Sequence, residues 1–350
     1  MKFLDYITAK AQALYYNETL AAKTEKPYLG DELFPSKKKM GLSIDWIKGA
    51  KGGAKVMPLS AFDAKVLKRS RIGFQKITQE MPFFKESMDI DEKTRQELLM
   101  LGEAQNAYLN QLIAKIFDDT NTLIEAAAVT RERMRMQLLT TGSIVMESNG
   151  QAYKYDYGIE TYQKQTVTKS WSDPTADIIG DIQKYQDIMI EKTGVKPTRL
   201  VMRNTQLRNI MKNDYIKNSI YVFGQGKVNA TENAVKTFLN EQLGITSIAV
   251  YDKMYVDEEG TSQFFIPEDT VVLIPEGQIG NTWFGTTPEE ADLLGSQTTS
   301  AQVSVVDTGV AITVTKETDP VRTVTKVSEI CIPSGENIGN IVIIDTKAAE

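Results

Sequence analysis

The chain has 350 residues and a formal net charge of −6, with 41% hydrophobic and 25% charged residues. These are ordinary values for a folded globular protein with one large domain or two to three smaller ones. The sequence contains no histidine, which excludes Ser-His-Asp and Cys-His nucleophile activation and histidine-based zinc or iron sites. No apolar run reaches the ~18–20 residues that span a bilayer. The single cysteine, Cys331, has no partner for an internal disulfide and fits a buried thiol.

The charges are unevenly distributed along the chain. Residues 1–80 contain 15 Lys+Arg and 8 Asp+Glu, a local net of +7, and the remainder contains 25 and 38, a net of −13. A basic N-terminal part on an acidic body favours head-to-tail attraction between copies of the chain. Nucleic-acid binding is the alternative, but the lysines lie among turn residues and lack an aromatic stacking pattern.

The first 85 residues show little periodicity beyond a short helix expected over residues 1–17. Residues 18–60 are rich in proline and glycine, so we expect no compact core there and an extended course over another surface. Residues 60–85 predict an extended hairpin or loop, with Ile72, Phe74 and Ile77 in weak alternation. Apolar anchors are spread along the proline- and glycine-rich segment: Tyr28, Leu29, Leu33, Phe34, Leu42, Ile44, Trp46 and Ile47.

A long helical stretch follows, starting at Asp89 or Asp91 as N-cap and ending near Thr140, with Gly142 as the stop. A break with recapping is expected near residues 118–121. Three arginines near the C-terminal end of this stretch would face the helix dipole or the carboxylates of a neighbouring copy; they are Arg131, Arg133 and Arg135.

The rest of the chain alternates between strands and helices. Two strands are expected around Asn149-Gly150, a strong hairpin signal, within residues 144–158. Helices are predicted at about 174–193, 205–211 and 230–243. Strands are predicted at 199–203, 247–251, 270–274, 303–306, 310–315 and 340–344, with a strand-like run at 330–332.

Motifs that could carry chemistry are incomplete. The glycine- and lysine-rich residues 49–55 lack the GK[ST] ending and following helix of a phosphate loop, and no dinucleotide fingerprint follows residues 224–227. Asp118 and Asp119 are adjacent on a helix and point apart, and residues 257–259 lack the spacing of a calcium loop. We therefore predict no catalytic, cofactor-binding or metal-binding residues and no enzymatic activity, although carboxylate or lysine chemistry in the α/β region is a less favoured alternative.

Four segments, taken in order, resemble the lambda-type major capsid protein family of tailed bacteriophages (phage capsid protein E). They are residues 26–49 (KPYLGDELFP, then GLSIDWIKG after a lysine run), 131–142 (RERM, then QLLTTG), 283–290 (WFGTTPEE) and 316–321 (KETDPV). No single motif is specific, but the ordered set spans nearly the whole chain.

This resemblance implies an α+β fold of the Hong Kong 97-like type. It implies an N-terminal arm over residues 1–49, an E-loop over 50–85 and a P domain with a long spine helix over 86–171. An A domain would follow over 172–272, a return to the P domain over 273–327, and a C-terminal A-domain strand and tail over 328–350. Lys51 and Lys55 would lie near the E-loop tip. With the anchors of the arm and the three arginines, they complete the expected assembly contacts.

The implied function is a major capsid protein that assembles into an icosahedral shell around double-stranded DNA. Its expected partners are copies of itself as hexamers and pentamers, scaffold, portal and decoration proteins, and packaged DNA through weak non-specific contact, with no membrane and no cofactor. It would assemble in the host bacterial cytoplasm and reside in the virion. A shell protein of an encapsulin-like nanocompartment is the alternative within the same fold.

Overall fold

The computed structural model describes residues 7–22, 28–48, 75–101, 107–148, 150–221, 230–295 and 302–348. The chain divides into two compact units. Unit 1 comprises Met1–Ile44, Thr78–Met134 and Asn281–Ser334, and unit 2 comprises Asp45–Ile77, Arg135–Gly280 and Gly335–Glu350.

Helices and strands are both abundant in the described residues, as the sequence predicts. The helices are α1 (Ala9–Ala22), α2 (Leu29–Leu33), α3 (Glu92–Leu101), α4 (Ala107–Thr141), α5 (Ile178–Thr193), α6 (Asn204–Lys212), α7 (Asp214–Ile220), α8 (Glu232–Leu243) and α9 (Pro288–Gly295). The first nine strands are β1 (Ser36–Lys38), β2 (Ser43–Lys48), β3 (Gln75–Glu80), β4 (Phe83–Ile90), β5 (Ser143–Ser148), β6 (Gln151–Asp156), β7 (Lys164–Thr166), β8 (Arg199–Met202) and β9 (Ser247–Val250). The remaining strands are β10 (Met254–Val256), β11 (Ser262–Phe264), β12 (Thr270–Ile274), β13 (Thr282–Phe284), β14 (Gln302–Val306), β15 (Val310–Thr318), β16 (Val321–Pro333) and β17 (Val342–Asp345).

Unit 1 is built on a six-stranded sheet in the order β1-β13-β16-β15-β14, with β4 also paired to β16. The long strand β16 is its centre. One edge of β16 pairs antiparallel with β15, and its other edge pairs antiparallel with β4 and then with β13. Both β15 and β16 are rich in β-branched residues, which fit the pleated surface of a sheet. Helix α1 lies against β14 and β15 and buries Ala9, Gln12, Ala13 and Tyr16, at helical spacing.

The predicted start of the long helical stretch is confirmed, but its predicted middle is wrong. Asp91 caps α3, because its Oδ1 accepts a hydrogen bond from the Thr94 backbone N–H at 2.9 Å. The helix α4 runs for 35 residues without interruption, so the expected break at 118–121 is wrong. Thr120 and Asn121 are buried inside it, and the Thr120 hydroxyl donates to the Ile116 carbonyl at 3.3 Å instead of capping a new helix. The predicted stop is confirmed, since Gly142 has a φ of +76°.

Unit 2 holds a five-stranded sheet in the order β7-β17-β12-β8-β9. The pairs β7–β17 and β8–β9 are parallel, and β12 is antiparallel to both of its neighbours. Helices α5, α6 and α8 contribute to one apolar core, with Ile182, Leu207 and Leu239 packed in the same cluster as Leu273 of β12. The predicted helices and strands of this region are confirmed apart from small shifts at their ends, while α7 and β7 were not predicted.

Three two-stranded ladders complete the described structure: β2–β3, β5–β6 and β10–β11. The β5–β6 ladder confirms the hairpin predicted around Asn149-Gly150, and Gly150 has a φ of +73°. Such a backbone angle is easy for glycine and strained for other residues.

Candidate assembly surface

The arm segment, residues 28–44, is part of unit 1. Its strand β1 pairs in parallel with β13, in the register Lys37 opposite Trp283 and Lys38 opposite Phe284. The Thr282 hydroxyl donates to the Phe34 carbonyl at 2.9 Å, and the Lys39 N–H donates to the Phe284 carbonyl at 2.8 Å. The arm segment thus extends a sheet of its own subunit.

Three of the expected assembly anchors are buried within the chain itself. Leu33, Phe34 and Ile44 are all less than 2% exposed. Near them, the backbone N–H of Gly30 donates to Glu132 Oε1 at 3.1 Å, which ties the first turn of α2 to α4. The sequence predicts that this segment lies on another surface, and for these three residues that surface belongs to the chain itself. Proline and glycine prevent a local core, but they do not prevent packing on residues distant in sequence.

The other anchors of the arm segment have different environments. Tyr28 and Leu29 are half-buried. Leu42 is 53% exposed beside Met40, which is 81% exposed, at a turn where Gly41 has a φ of +101°. Trp46 and Ile47 belong to β2, but their side chains lie outside the described residues, as do Lys51 and Lys55 entirely. Leu42 is therefore the expected anchor with the largest described apolar exposure.

Gly285 allows the arm segment to approach closely. A Cβ at this position would lie 2.7 Å from the Gly41 carbonyl oxygen and 2.8 Å from side-chain carbons of Ile330 and Met81. The Thr286 N–H also donates to the Gly41 carbonyl, at 3.3 Å. The WFGTTPEE segment that contributed to the family resemblance is thus where the arm segment docks.

The lysine run is held by the same segment. Lys38 Nζ lies 2.6 Å from Glu290 Oε2, and Lys37 Nζ lies 5.6 Å from the centre of the Trp283 ring, within cation–π range. Lys38, which belongs to the basic part expected to meet acidic surfaces of neighbouring copies, thus already has an acidic partner in its own chain.

Arg131 is at the centre of a buried ionic cluster. Its side chain is 9% exposed, its Nη1 lies 2.5 Å from Oε2 of Glu329, and its Nη2 lies 3.3 Å from Oδ2 of Asp307. Its guanidinium carbon is also 5.5 Å from the centre of the Phe284 ring. Burial alone would lower the pKa of Arg131, but Glu329 and then Asp307 outweigh burial, so the pKa is raised.

The three arginines of the long helix therefore differ in their surroundings. Arg131 binds carboxylates of its own chain, where the sequence suggested either the helix dipole or a neighbouring copy. It also lies ten residues before the end of α4, too far for the dipole, which acts within the last turn. Arg135 is buried and Arg133 is half-buried, so neither presents a fully exposed charge to a partner.

Tyr16 joins this cluster from α1. Its hydroxyl lies 3.5 Å from Asp307 Oδ2. Burial and then the nearby Asp307 charge raise the pKa of Tyr16 to about 12. The cluster therefore favours the neutral phenol beside the ion pair.

The acidic residues of the Arg131 cluster were not predicted from the sequence. Glu329 stands in the otherwise apolar and small-residue run VSEICI at the buried end of β16, and its side chain is 1% exposed. A lone carboxylate in such a run indicates a buried ion pair, because an unpaired buried charge is too costly to keep. That signal was available but did not identify Arg131 as the partner.

Two properties of the described residues concern metal binding and membrane insertion. In this part of the chain, no group of three or more acidic or cysteine side chains is arranged to hold a metal ion. Among the helices whose residues are described, none combines the length and apolarity needed to cross a membrane.

Comparison with known proteins shows the family. The sequence profile of phage major capsid protein E matches residues 18–322 of the chain. The comparison with curated proteins finds no match.

Solved structures show the same fold. A protein described as a prophage capsid protein of Escherichia coli CFT073 has 20% identity and a TM-score of 0.52, with 78% of this chain and 79% of that chain covered. A phage-related protein from Bordetella bronchiseptica RB50 has 13% identity and a TM-score of 0.57, with 98% of both chains covered.

The expected Hong Kong 97-like fold is thereby confirmed, together with the resemblance that suggested it. The profile match covers far more than half of the chain and includes both the arm segment and the residues on which it docks. The chain belongs to the phage major capsid protein E family and is a shell-forming capsid protein.

Proposed function

We propose that copies of this chain assemble as hexamers and pentamers into the icosahedral head shell that encloses phage double-stranded DNA, without catalytic activity. The observation that carries this proposal is the family match over residues 18–322. Assembly takes place in the host bacterial cytoplasm and the product is part of the virion. Scaffold, portal and decoration proteins are its further partners, and the packaged DNA touches it weakly and without sequence preference.

The domain assignment is part of the proposal. Residues 1–49 form the arm, 50–85 the E-loop, 86–171 and 273–327 the P domain, and 172–272 with 328–350 the A domain. The arm segment in this scheme is ordered within its own subunit, and the apolar side chains that it leaves exposed are the ones a neighbour covers. Leu42 with its neighbour Met40, and the half-buried Tyr28 and Leu29, are these contacts.

Many weak contacts per copy suffice for a stable shell. Each additional contact in a closed assembly acts at high effective concentration, so modest interfaces add up to a large total. The net of +7 on residues 1–80 and of −13 on the rest supports an electrostatic contribution between copies.

The test is to express the full chain and follow particle mass by light scattering and negative-stain microscopy. Megadalton particles are expected, forming more slowly as salt rises toward ~1 M, where screening shortens to ~3 Å. A chain that stays monomeric or dimeric at all concentrations would contradict the shell function. Assembly that is insensitive to salt would contradict only the electrostatic part.

The contents of the particles separate the two kinds of shell. Particles recovered from lysed host cells during phage growth should protect double-stranded DNA from nuclease. Particles that enclose a cargo enzyme and no DNA would instead indicate a nanocompartment.

A further inference from the structure

The β10–β11 hairpin of unit 2 is firmly held at its base. Met254 pairs with Phe264 and Tyr255 with Gln263, so the two strands are in a fixed antiparallel register. Beneath the strands, the Phe265 ring lies 5.0 Å from the Tyr255 ring and 6.0 Å from the buried Tyr251 ring, centre to centre. These aromatic contacts fix the hairpin on unit 2 although it is not part of the five-stranded sheet.

The turn of the hairpin is also well defined. Asp257 Oδ1 accepts hydrogen bonds from the backbone N–H of Thr261 at 2.8 Å and of Glu259 at 3.1 Å. Its Oδ2 accepts from the Gln263 side chain at 2.6 Å, and Gly260 takes a φ of +83°. An Asp that bonds to the backbone of its own turn is typical of a stable turn.

One face of this rigid hairpin is apolar and open to solvent. The register places Met254, Val256 and Phe264 on the same face, where they are 49%, 63% and 37% exposed. We call these three residues the hairpin face. Arg203 covers one part of it, with its guanidinium carbon 3.4 Å from the centre of the Phe264 ring. Two-stranded ladders are marginally stable alone, so a rigid ladder with an exposed apolar face indicates a contact surface.

The surroundings of the hairpin face are acidic. Residues 252–269 contain six acidic residues and one basic residue, although Arg203 lies 3.6 Å from Asp252 and 3.9 Å from Glu268 and neutralises part of this charge at the base of the hairpin. Glu259, at the tip of the hairpin, is exposed. A partner for the hairpin face should therefore combine apolar area with positive charge.

The opposite character is found on α6 and α7 of the same unit. Arg208 and Lys212, one helical turn apart on α6, are exposed, and neither forms an ion pair with any residue in the described part of the chain. Tyr215 of α7 is 59% exposed. The only acidic residue among residues 204–220 is Asp214, which Lys217 binds at 2.9 Å. We call Arg208, Lys212 and Tyr215 the basic surface.

We propose that the hairpin face of one copy docks on the basic surface of a second copy. The two surfaces differ, so the contact is head-to-tail and repeats from copy to copy until a ring closes. The hairpin face and the Tyr215 ring form the dry centre, and Glu259 meets Arg208 and Lys212 at the rim, where opposite charges set orientation and speed of association. This inference rests on the proposed shell function and names the residues of one of its contacts.

The apolar part of the contact is tested with Val256→Lys. Val145→Lys is the matched control, because Val145 is also an exposed valine, at 40% against 63% for Val256, in another two-stranded ladder of the same unit. Val256→Lys should raise the concentration at which half of the chain is assembled roughly 5- to 30-fold, which corresponds to a loss of about 1–2 kcal/mol of association free energy. Val145→Lys should leave it near the wild-type value. Both variants should melt like the wild-type subunit when unassembled, since the positions are on the surface.

The ionic part is tested by exchanging charges. Glu259→Lys alone and Arg208→Glu with Lys212→Glu should each impair assembly, and the triple variant should return toward the wild-type assembly concentration. Glu241→Lys, at an exposed glutamate of α8, is the control for a charge change elsewhere on the unit.

Each outcome of these experiments has a distinct meaning. Assembly of Val256→Lys and of the charge variants at the wild-type concentration overturns this contact while leaving the shell function intact. If Glu259→Lys and the Arg208→Glu, Lys212→Glu variant assemble poorly and the triple variant assembles no better, the pairing of the two surfaces is overturned. A wild-type chain that never forms particles contradicts the shell function and this inference together.

Discussion

The Arg131 cluster should respond strongly to the loss of its cation. Arg131→Met keeps the length and apolar stem of the side chain but removes the guanidinium that lies 2.5 Å from Glu329. The Glu329 side chain is 1% exposed, so solvent cannot replace the missing cation. Removing one partner of such a buried pair costs about 3–5 kcal/mol of unfolding free energy.

The size of the effect can be measured by chemical denaturation of the unassembled subunit, followed by tryptophan fluorescence. Arg322→Met is the matched control, because Arg322 lies on β16, the strand that carries Glu329. Its guanidinium also lies 2.5 Å from a glutamate, Glu317, but both side chains are about 40% exposed, at 39% and 41%. Water screens an exposed pair, so the control should lose far less stability than Arg131→Met.

The pH dependence distinguishes an uncompensated carboxylate from a simple packing defect. Without Arg131, a charged Glu329 is left buried and uncompensated, so the variant's deficit should be full at neutral pH and should shrink as acid neutralises the carboxylate. A second change, Glu329→Leu, should recover most of the lost stability, because an apolar pair of similar volume replaces the ion pair. A loss below about 1 kcal/mol for Arg131→Met, or a loss equal to that of Arg322→Met, would refute the buried-pair explanation.

Two further predictions concern the surroundings of this cluster. Gly285→Ala places a Cβ 2.7 Å from the Gly41 carbonyl oxygen, so it should destabilise the subunit by about 1–3 kcal/mol. It should also raise hydrogen exchange in residues 28–44 above that of the wild type, and unchanged exchange there would contradict the docking of the arm segment on this glycine. Tyr16→Phe should remove an alkaline sensitivity, because a phenol whose pKa is raised to about 12 stabilises the fold below pH 10 and loses that contribution as pH rises toward 12. Between pH 9 and 11 the wild type should lose about 1 kcal/mol more than Tyr16→Phe, and parallel pH curves for the two proteins would contradict this role of Tyr16.

Elements with local signals were predictable from the sequence. Helices α5 and α8 have apolar residues at helical spacing and end at Gly194 and Gly244, whose φ angles are +72° and +69°. The β5–β6 hairpin has its Asn-Gly turn between alternating strands. Each of these signals lies within about 20 residues, where spacing and turn chemistry are informative.

Contacts between distant parts of the chain could not be predicted in the same way. Gly30 and Glu132 are 102 residues apart, Phe34 and Thr282 are 248 apart, and Arg131 and Glu329 are 198 apart. Composition indicates only that the arm segment needs a surface to lie on, and it does not indicate whether that surface belongs to its own subunit or to another. The expected helix break at 118–121 failed for a related reason, since tertiary burial of Thr120 and Asn121 overrides their local preference for a cap.

The strand β1 has a consequence for the behaviour of the subunit before it meets its partners. It is the outermost strand of the six-stranded sheet, it is only three residues long, and all three, Ser36, Lys37 and Lys38, are exposed. A short edge with two lysines is a poor template for the strand of another molecule, because pairing would bring like charges together. A protein that must accumulate in many copies thereby protects this edge of its largest sheet from pairing with other molecules, and association is left to surfaces that can close a shell.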